Sequence, residues 1–476
     1  ASGKKAKNVK WSVTKGKKKI KIKAKGKKVI ITGLRNGEAV VTAKLANKKL
    51  KLKVLVYTLL EDPSNEETTE DPEDYSLELS AATKSLTANL TKSKVETSAA
   101  SDAFAYDLTD FSLNTLRTIR SLGKSDKILI SPDSISTAMA MVTNGADSTT
   151  KDELMSVLAP NLSLDDYNKY LAGLNNRLNA DEDLIYQVSD SIWIKNTDDL
   201  IVSDDFLKTN YDYYNAEVYK SAFDENTVKD INGWVNAKTR HMIPEIIKRI
   251  DNENRMFLIN TVAFEGKWAE QYSENAIKKY DFTNAANEKN KTEFLVGTEE
   301  NYYKINDRLA FSKYYEGGAI KFVGILPNEG ESVDQTLASM DGKAFVDGLR
   351  ESKKADVYTR IPKFCYDYDV NLNETFAKLG LSESFSNSAD FSKMTSPQSL
   401  ETLKIGKVIH KTHIELDENG TKAAAATAVA MNKVTSIRPE VEKEQVYIYL
   451  DRPFVYALVD SKTNIPLFIG TVESLK

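Results

Sequence analysis

The chain has 476 residues, 41% of them hydrophobic and 28% charged, which fits an ordinary globular protein long enough for two domains or one large one. No apolar run approaches the ~18 residues of a membrane span, and a single cysteine excludes an internal disulfide and a cysteine-based metal cluster. The net charge of −4 is an average: residues 1–56 hold nineteen Lys and Arg and one acid, which leaves −22 for the remainder and indicates two separately evolved pieces.

Residues 1–56 are predicted to form β-strands. In KKKIKIKAKGKKVIITG, apolar residues alternate with lysines, and GEAVVTAKLANKKLKLKVLV repeats the pattern with a hairpin predicted at Ala46–Asn47. The phrases VKWSV and GEAVVTAKL resemble a bacterial immunoglobulin-like (Big) domain of surface proteins, here without its first one or two strands. The resemblance implies a small all-β sandwich-like module whose basic face is solvated; binding to anionic cell-wall polymer is the alternative.

Residues 57–101 are predicted to be a linker. Between Glu61 and Asp74 the sequence has eight acids, two prolines and no base, so this part should be extended and self-repelling. Residues 76–101 are rich in Ser, Thr and Ala and indicate no particular element.

Residues 102–476 are predicted to form one large α+β domain. FSLNTLRTIRSL and SISTAMAMVTNGA have the apolar spacing of helices, and DINGWVNAKTRHMIPEIIKRI indicates a helix broken near Pro244. The segments NRMFLINTVAFEGKW, AIKFVGILP, VYTRIPKF, VYIYLDRPFVYALVD and IPLFIGTV are apolar and β-branched, as strands are. Mixed strands with peripheral helices favour an α+β architecture.

Catalysis has no support in the sequence. The only histidines are His241, His410 and His413, and no G-x-S-x-G, G-x-G-x-x-G, P-loop or H-E-x-x-H motif occurs. His410 and His413 lie three residues apart in KVIHKTHIEL, which alternates like a strand and would place them on opposite faces. We therefore expect no enzyme activity, no metal site and no cofactor.

Six segments, in chain order, resemble the serpin family from about Asp102 to Leu475. They are ILISPDSISTAMAM, FLINTVAFEGKWAEQY, RIPKF, FSNSADFS, HKTHIELDENGTKAAAAT, and IYLDRPFVYALVD followed by IPLFIGTV. The resemblance implies the α+β serpin fold, with a large central β-sheet, two further sheets and eight or nine helices. It points to the inhibitory type, in a bacterial protein.

The segment HKTHIELDENGTKAAAAT resembles the hinge of a loop that inhibitory serpins, once cleaved, insert as an extra strand of the central sheet. The hinge residues that the resemblance implies are Glu418, Gly420, Thr421, Ala423, Ala425 and Thr427. A strand presents alternate residues to opposite faces, so the last four of these share a face. That face must be small and uncharged because an unpaired buried charge is costly, whereas Lys422 falls on the solvent side. A surface Ala-rich helix is the alternative.

The resemblance also assigns residues to the sheet itself. Trp268 matches the Trp where the loop first enters the sheet, with plain core packing as the alternative. The polar cluster beneath the sheet centre is matched by Ser131, Ser134, Asn260 and His410. For these four, the alternative is that they are only hydrogen-bonded core residues. Cys365, on a predicted strand, is expected to be buried filler and not a reactive thiol.

The family places its scissile bond about fourteen residues beyond the hinge glycine, which implies Val434–Thr435. A small β-branched residue at this position suits elastase-like serine proteases, whose specificity pocket is small. Lys433 would suit trypsin-like enzymes and Met431 chymotrypsin-like enzymes. Arg438–Pro439 is disfavoured, because proline after the bond resists such proteases.

The leading hypothesis is a suicide-substrate inhibitor of serine proteases that traps the protease as an acyl-enzyme. A non-inhibitory serpin acting as carrier or storage protein, and a surface adhesin that uses residues 1–56, are the alternatives. We expect a monomer without nucleic-acid partner or membrane insertion. Residues 1–10 lack an apolar h-region, so no signal peptide is visible, although the N-terminal module favours an extracellular or bacterial cell-surface location.

Overall fold

The computed structural model describes residues 10–15, 17–18, 20–25, 28–33, 37–45, 48–56, 77–123, 125–180, 185–251, 253–400, 403–421 and 443–475. The chain divides into two compact units, Ala1–Asp74 and Tyr75–Lys476. None of the helices in the described ranges is long and apolar enough to cross a membrane.

The first unit contains five strands in its described residues. They are β1 (Lys10–Lys15), β2 (Ile20–Lys25), β3 (Lys28–Gly33), β4 (Gly37–Leu45) and β5 (Lys48–Val56). Strands β1, β4 and β5 form an antiparallel sheet, and β2 pairs with β3. Leu45 lies opposite Lys48, while the predicted hairpin residues Ala46–Asn47 lie outside the described residues. The immunoglobulin-like arrangement of residues 1–56 stays a prediction.

The second unit contains nine α-helices in its described residues. They are α1 (Asp102–Leu122), α2 (Pro132–Thr143), α3 (Ser148–Leu158), α4 (Leu164–Leu178), α5 (Asp204–Tyr214), α6 (Glu225–Lys238), α7 (Val333–Ala338), α8 (Gly342–Gly348) and α9 (Asn373–Lys378). Serine or aspartate caps most of their first turns, as when Ser101 Oγ accepts from the Phe104 N–H at the start of α1. A single turn of 3-10 helix covers Glu274–Ala276.

The strands of the second unit are β6 (Lys84–Ser85), β7 (Lys127–Ile130), β8 (Ile185–Lys195), β9 (Glu217–Ser221), β10 (Met256–Lys267), β11 (Ile277–Thr283), β12 (Lys289–Ile305), β13 (Arg308–Tyr314), β14 (Ile320–Leu326), β15 (Lys353–Pro362), β16 (Phe364–Asn371), β17 (Lys407–Leu416), β18 (Gly420–Thr421), β19 (Gln445–Tyr449), β20 (Phe454–Asp460) and β21 (Pro466–Val472). Seven form a sheet in the order β16-β17-β18-β10-β8-β9-β6. Nine form a second sheet in the order β19-β15-β12-β13-β14-β20-β21-β7, with β11 on β12.

Helix α2 occupies the centre of the second unit. All twelve of its residues are buried, and it packs against β8 and β10 of the seven-stranded sheet and against β21 of the nine-stranded sheet. The cap residue Ser131 makes no side-chain bond to the helix; instead its hydroxyl donates to the carbonyl of Leu467 (2.8 Å). This hydrogen bond fixes the start of α2 to β21 of the nine-stranded sheet.

The predicted helix at 111–122 and the buried helix of SISTAMAMVTNGA are confirmed as parts of α1 and α2. The five predicted strand segments contain β10, β14, β20 and β21 and overlap most of β15 and β19. One helix is shorter than predicted. Helix α6 ends at Lys238, six residues before Pro244, because the backbone turns to positive φ at Arg240 and His241.

Residues 77–101 belong to the second unit, which differs from the predicted linker 57–101 and from the predicted domain start at Asp102. Lys84 and Ser85 pair with β9, and the hydroxyl of Ser80 donates to the carboxylate of Asp230 at 2.6 Å. Further along, the Ser98 N–H donates to the Lys169 carbonyl. The Ser- and Thr-rich composition that suggested a linker supplies side-chain hydrogen bonds to the domain surface instead.

Candidate functional site

The seam between β10 and β17 is the most unusual feature of the seven-stranded sheet. The two strands run parallel and pair directly over five residues, Phe257–Thr261 against Lys407–Lys411. Beyond that point they separate, and the two residues of β18 lie between them. Thr421 pairs antiparallel with Gly266 on one side and with Leu416 on the other. The seam is therefore closed at one end and open at the other, with the first residues of a further strand already in the opening.

A tight turn delivers β18 to the seam. The Asp417 carboxylate accepts from the backbone N–H of Asn419 (2.7 Å) and of Gly420 (3.2 Å), which closes the turn after β17. Trp268 then holds this turn from both ends, because its indole N–H donates to the Asp417 carbonyl (2.8 Å) and its backbone N–H donates to the Asn419 carbonyl (2.9 Å). Trp268, 2% exposed, is thus a hydrogen-bonding partner of the turn as well as a core residue.

Gly420 is required by a close backbone approach. Its φ is +154°, and a Cβ built at this position would lie 2.0 Å from the carbonyl oxygen of Gly266. Any side chain here would push β18 away from β10. The hinge glycine predicted from the sequence therefore has a steric reason in the fold.

Thr421 faces the core at the open end of the seam. Its side chain is 2% exposed and its hydroxyl lies 2.7 Å from the hydroxyl of Tyr315, whose ring stacks on Trp268 (centroids 4.5 Å apart, planes at 17°). Burial raises the pKa of Tyr315, so that the hydroxyl stays protonated and available as a hydrogen-bond donor. A position that is buried to this extent suits a small neutral side chain.

Glu418 anchors the outer side of the turn. Its carboxylate lies 2.7 Å from the ammonium of Lys363, the residue between β15 and β16, and both side chains are about 30% exposed. This hydrogen bond is the main reason why the pKa of Glu418 is lowered. The backbone of Glu418 contributes separately, because its carbonyl accepts from the Tyr272 N–H (3.1 Å).

A row of polar side chains crosses the middle of the seven-stranded sheet, beneath the closed part of the seam. Asn260 on β10 is directly opposite His410 on β17 and Asp190 on β8. Its amide donates to the Asp190 carboxylate and to the Ser134 carbonyl (2.6 Å), while its Oδ1 lies 2.8 Å from His410 Nδ1. The Asn260–His410 hydrogen bond crosses the seam, so the strands cannot part without breaking it.

The tautomer of His410 follows from its partners. The backbone N–H of Ser131 donates to Nε2 (3.0 Å), so the proton of the neutral ring is on Nδ1 and is donated to Asn260. The ring is fully buried, and this burial lowers the pKa of His410 to about 3. His413, three residues on, is half-buried on the opposite face, as the alternation predicted.

The four residues predicted for the cluster beneath the sheet, Ser131, Ser134, Asn260 and His410, are brought together. Ser134 takes part through its backbone carbonyl, and its buried hydroxyl has no hydrogen-bond partner among the described residues. That these four residues have a role beyond packing stays a prediction.

Two buried carboxyl groups at this site escaped the sequence analysis. Asp190 lies within the strand sequence QVSDSIWIK, where an acid among apolar residues was the available signal. Asp133, in the first turn of α2, accepts from the hydroxyl of Tyr186 (2.6 Å). Burial is the main cause that raises the pKa of Asp133 to about 7 and the pKa of Asp190 well above its ordinary value.

The fold and this seam agree with a known family. The sequence profile of the family Serpin (serine protease inhibitor) matches residues 106–475. The chain belongs to the serpin family. Among its serpin relatives is an uncharacterized serpin-like protein of Methanosarcina mazei, 28% identical over 386 residues that cover 79% of this chain and 86% of the relative. Mouse neuroserpin is 26% identical over 386 residues, which cover 77% of this chain and 90% of neuroserpin.

Solved serpin structures give the same result. The thermophilic serpin tengpin in its native state has a TM-score of 0.76 and 36% identity, with 83% of this chain and 100% of that chain covered. Tengpin in its latent state, also 36% identical, has a TM-score of 0.68 and covers 80% of this chain and all of that one. The predicted serpin family and its α+β fold are thus confirmed. In place of the two further sheets that were predicted, the described part of the second unit has a single nine-stranded sheet.

Three of the predicted hinge residues lie at the open end of the seam: Glu418, Gly420 and Thr421. The remaining predicted hinge and reactive-bond residues lie outside the described residues; they are Ala423, Ala425, Thr427, Met431, Lys433, Val434 and Thr435. The expectation that Cys365 is buried is wrong. Along β16 the exposure alternates, so Phe364 faces the core and Cys365 faces outward.

Proposed function

We propose that this serpin inhibits serine proteases as a suicide substrate, by inserting its cleaved loop as a new strand between β10 and β17. One observation carries the proposal: Gly420–Thr421 already pair with both strands at the open end of the seam, antiparallel to each. Because β10 and β17 are parallel to one another, a strand of the opposite direction fits between them with hydrogen bonds on both sides. This chain is also more similar in structure to tengpin in its native state (TM-score 0.76) than to tengpin in its latent state (TM-score 0.68).

The pairing of β18 predicts the register of the inserted strand. If the strand continues from Thr421 without a bulge, Ala423 and Ala425 fall on the buried face that Thr421 occupies. Thr427 then falls between Asn260 and His410, at the polar row. The segment would replace the Asn260–His410 hydrogen bond with its own backbone and hydroxyl groups, which explains why a hydroxyl-bearing residue suits this position.

The same register accounts for the charged residue that follows Thr421. Lys422 would lie on the solvent face between Glu265 of β10 and Glu415 of β17, both of which face away from the core. A cation between two carboxylates should favour insertion. We expect Lys422→Glu, which would put three carboxylates together, to shift the outcome of the reaction from complex to cleaved inhibitor, and Lys422→Gln to do so less.

The energy for insertion must come from the sheet itself. Each new hydrogen bond contributes a net ~0.5–1.5 kcal/mol, and fixing each backbone residue costs ~1–2 kcal/mol, so these terms nearly cancel. An intact sheet that is less stable than the expanded one would supply the difference. The fourteen residues from Thr421 to Val434 would span about 46 Å as a strand, enough to carry an attached protease across the molecule.

We propose Val434–Thr435 as the reactive bond and elastase-like enzymes as targets, with Lys433 and Met431 as alternative specificity residues. These positions lie outside the described residues, and the proposal rests on their spacing from Gly420 and on the small side chain of Val434. We further propose that the protein acts outside a bacterial cell, with the basic residues 1–56 as a surface module.

The test is to mix the protein with elastase and analyse the products on a denaturing gel. We expect a denaturant-resistant complex, a released C-terminal peptide beginning at Thr435 by mass spectrometry, and a higher melting temperature for the cleaved protein. Clean turnover by a panel of serine proteases, without such a complex, would contradict inhibition. Deleting residues 1–75 should leave the complex intact; loss of surface binding alone would assign adhesion to the first unit.

A further inference from the structure

Three metal-binding side chains meet on the outer face of the seven-stranded sheet. No metal site was expected from the sequence, because a single cysteine excluded a cysteine-based cluster and His410 and His413 fall on opposite faces of a strand. In the fold, Cys365, His413 and Glu415 each offer a ligand atom, and these atoms all lie within 4.8 Å of one another. Cys365 lies on the edge strand β16, and His413 and Glu415 lie on β17, which also forms one side of the seam.

Strand register creates the cluster. Cys365 on β16 is directly opposite Glu415 on β17, and two residues along, Asp367 is directly opposite His413. Residues that are opposite, or two apart, share a face in an antiparallel pair. All four side chains therefore project from the same side of the sheet, and no backbone movement is needed to bring them together.

Asp367 orients the imidazole of His413 for metal binding. Its carboxylate oxygen lies 2.7 Å from Nδ1 of His413, so the ring donates through Nδ1 and keeps Nε2 as its lone-pair nitrogen. A carboxylate behind the ligating histidine is the usual arrangement in protein zinc sites, where it fixes the ring and increases its basicity. This contact is independent of the three-residue cluster itself.

We propose that Cys365, His413 and Glu415 bind Zn²⁺, with Asp367 as a positioning residue. Thiolate, imidazole and carboxylate together form a ligand set of intermediate softness that suits zinc better than Mg²⁺ or Ca²⁺, and water would complete the tetrahedron. Zn–ligand distances of about 2.0–2.3 Å require ligand atoms somewhat closer than 4.8 Å, which small rotations of these surface side chains supply. On binding, the Cys365 thiol proton passes to solvent.

A zinc ion here would tie the edge strand β16 to β17. An edge strand exposes unpaired backbone groups, and a cross-strand metal would hold it in register. The zinc site does not depend on protease inhibition, so the two proposals can fail separately.

The experiment uses the untagged, reduced, full-length protein, with Co²⁺ as a spectroscopic probe and Zn²⁺ in calorimetry. We expect one ion per chain and a near-ultraviolet thiolate-to-cobalt band that added Zn²⁺ abolishes. Cys365→Ser should remove the band. Asp367→Asn should weaken Zn²⁺ binding by about 10–100-fold while the band persists, and His413→Ala should weaken it more.

Asp369→Asn is the matched control, because Asp369 lies on the same face of β16, opposite Lys411 and outside the cluster. It should leave zinc affinity unchanged. Melting curves should show that Zn²⁺ stabilises the wild type and the control but not Cys365→Ser. Absence of the cobalt band, or a zinc isotherm that is the same in wild type and Cys365→Ser, would overturn the proposal and assign any binding to other acidic groups.

Discussion

Replacing His410 with glutamine should change how the stability of the protein depends on pH. The imidazole is neutral in the folded protein because it is fully buried and its Nε2 accepts from the Ser131 N–H. A glutamine amide offers an acceptor oxygen and an NH₂ donor group, so it can supply both kinds of hydrogen bond that the neutral ring makes, but it does not titrate. The substitution therefore removes the titrating group while it keeps the hydrogen-bonding capacity that bridges the seam to Asn260.

The magnitude follows from the pKa of His410, about 3 in the fold against an ordinary 6.5. When the pH falls from about 7.5 to about 5, His410 binds a proton in the unfolded chain but stays neutral in the folded chain. This difference favours unfolding by ~2 kcal/mol. Asp133 acts in the opposite direction. Its pKa of about 7 in the fold, against 3.8, means that the folded chain takes up the proton first and gains ~2.5 kcal/mol over the same range.

The two effects nearly cancel in the wild type, and the buried Asp190 adds to the gain on acidification. The informative quantity is therefore the free energy of unfolding of the wild type minus that of the variant, measured by urea titration at both pH values. For His410→Gln this difference should fall by ~2 kcal/mol on acidification. For Asp133→Asn, the control of opposite sign, it should rise by ~2.5 kcal/mol. A difference for His410→Gln that is the same at both pH values would refute the buried neutral imidazole.

Substitutions at three further positions test the hinge. Thr421→Arg places a guanidinium at a side chain that is 2% exposed, so proteases should cleave the variant without forming a stable complex, whereas Thr421→Val should keep the complex on a denaturing gel. Gly420→Ala should destabilise the protein by ~1–3 kcal/mol in urea titrations because its Cβ would approach the Gly266 carbonyl to 2.0 Å, and unchanged stability would contradict this backbone contact. Glu418→Gln should cost ~0.2–1 kcal/mol at neutral pH through its ion pair with Lys363. Because the pKa of Glu418 is lowered in the fold, that cost should disappear as acid protonates the carboxylate, and a cost that persists in acid would exclude the ion pair as its cause.

Much of the fold could be predicted from local patterns. Runs of apolar and β-branched residues predicted the strands β10 and β14, and the helical spacing predicted α1 and α2, because these signals depend only on residues a few positions apart. The small, neutral residues that alternate from Thr421 could be read in the same way. Segments without periodicity could not be assigned: residues 77–101 looked like a linker, although they pack on the second unit through scattered polar contacts.

The sites depend on register between distant strands, and local patterns carry no information about it. Asp190 contacts Asn260 only because the register of β8 and β10 places the two residues opposite one another. Cys365 lies near His413 only because of the register of β16 and β17. A shift of one residue in either pair would turn every side chain to the other face of the sheet. Residue types and spacing are properties of the sequence, whereas which groups meet, and which are deprived of water, depends on how the whole core packs.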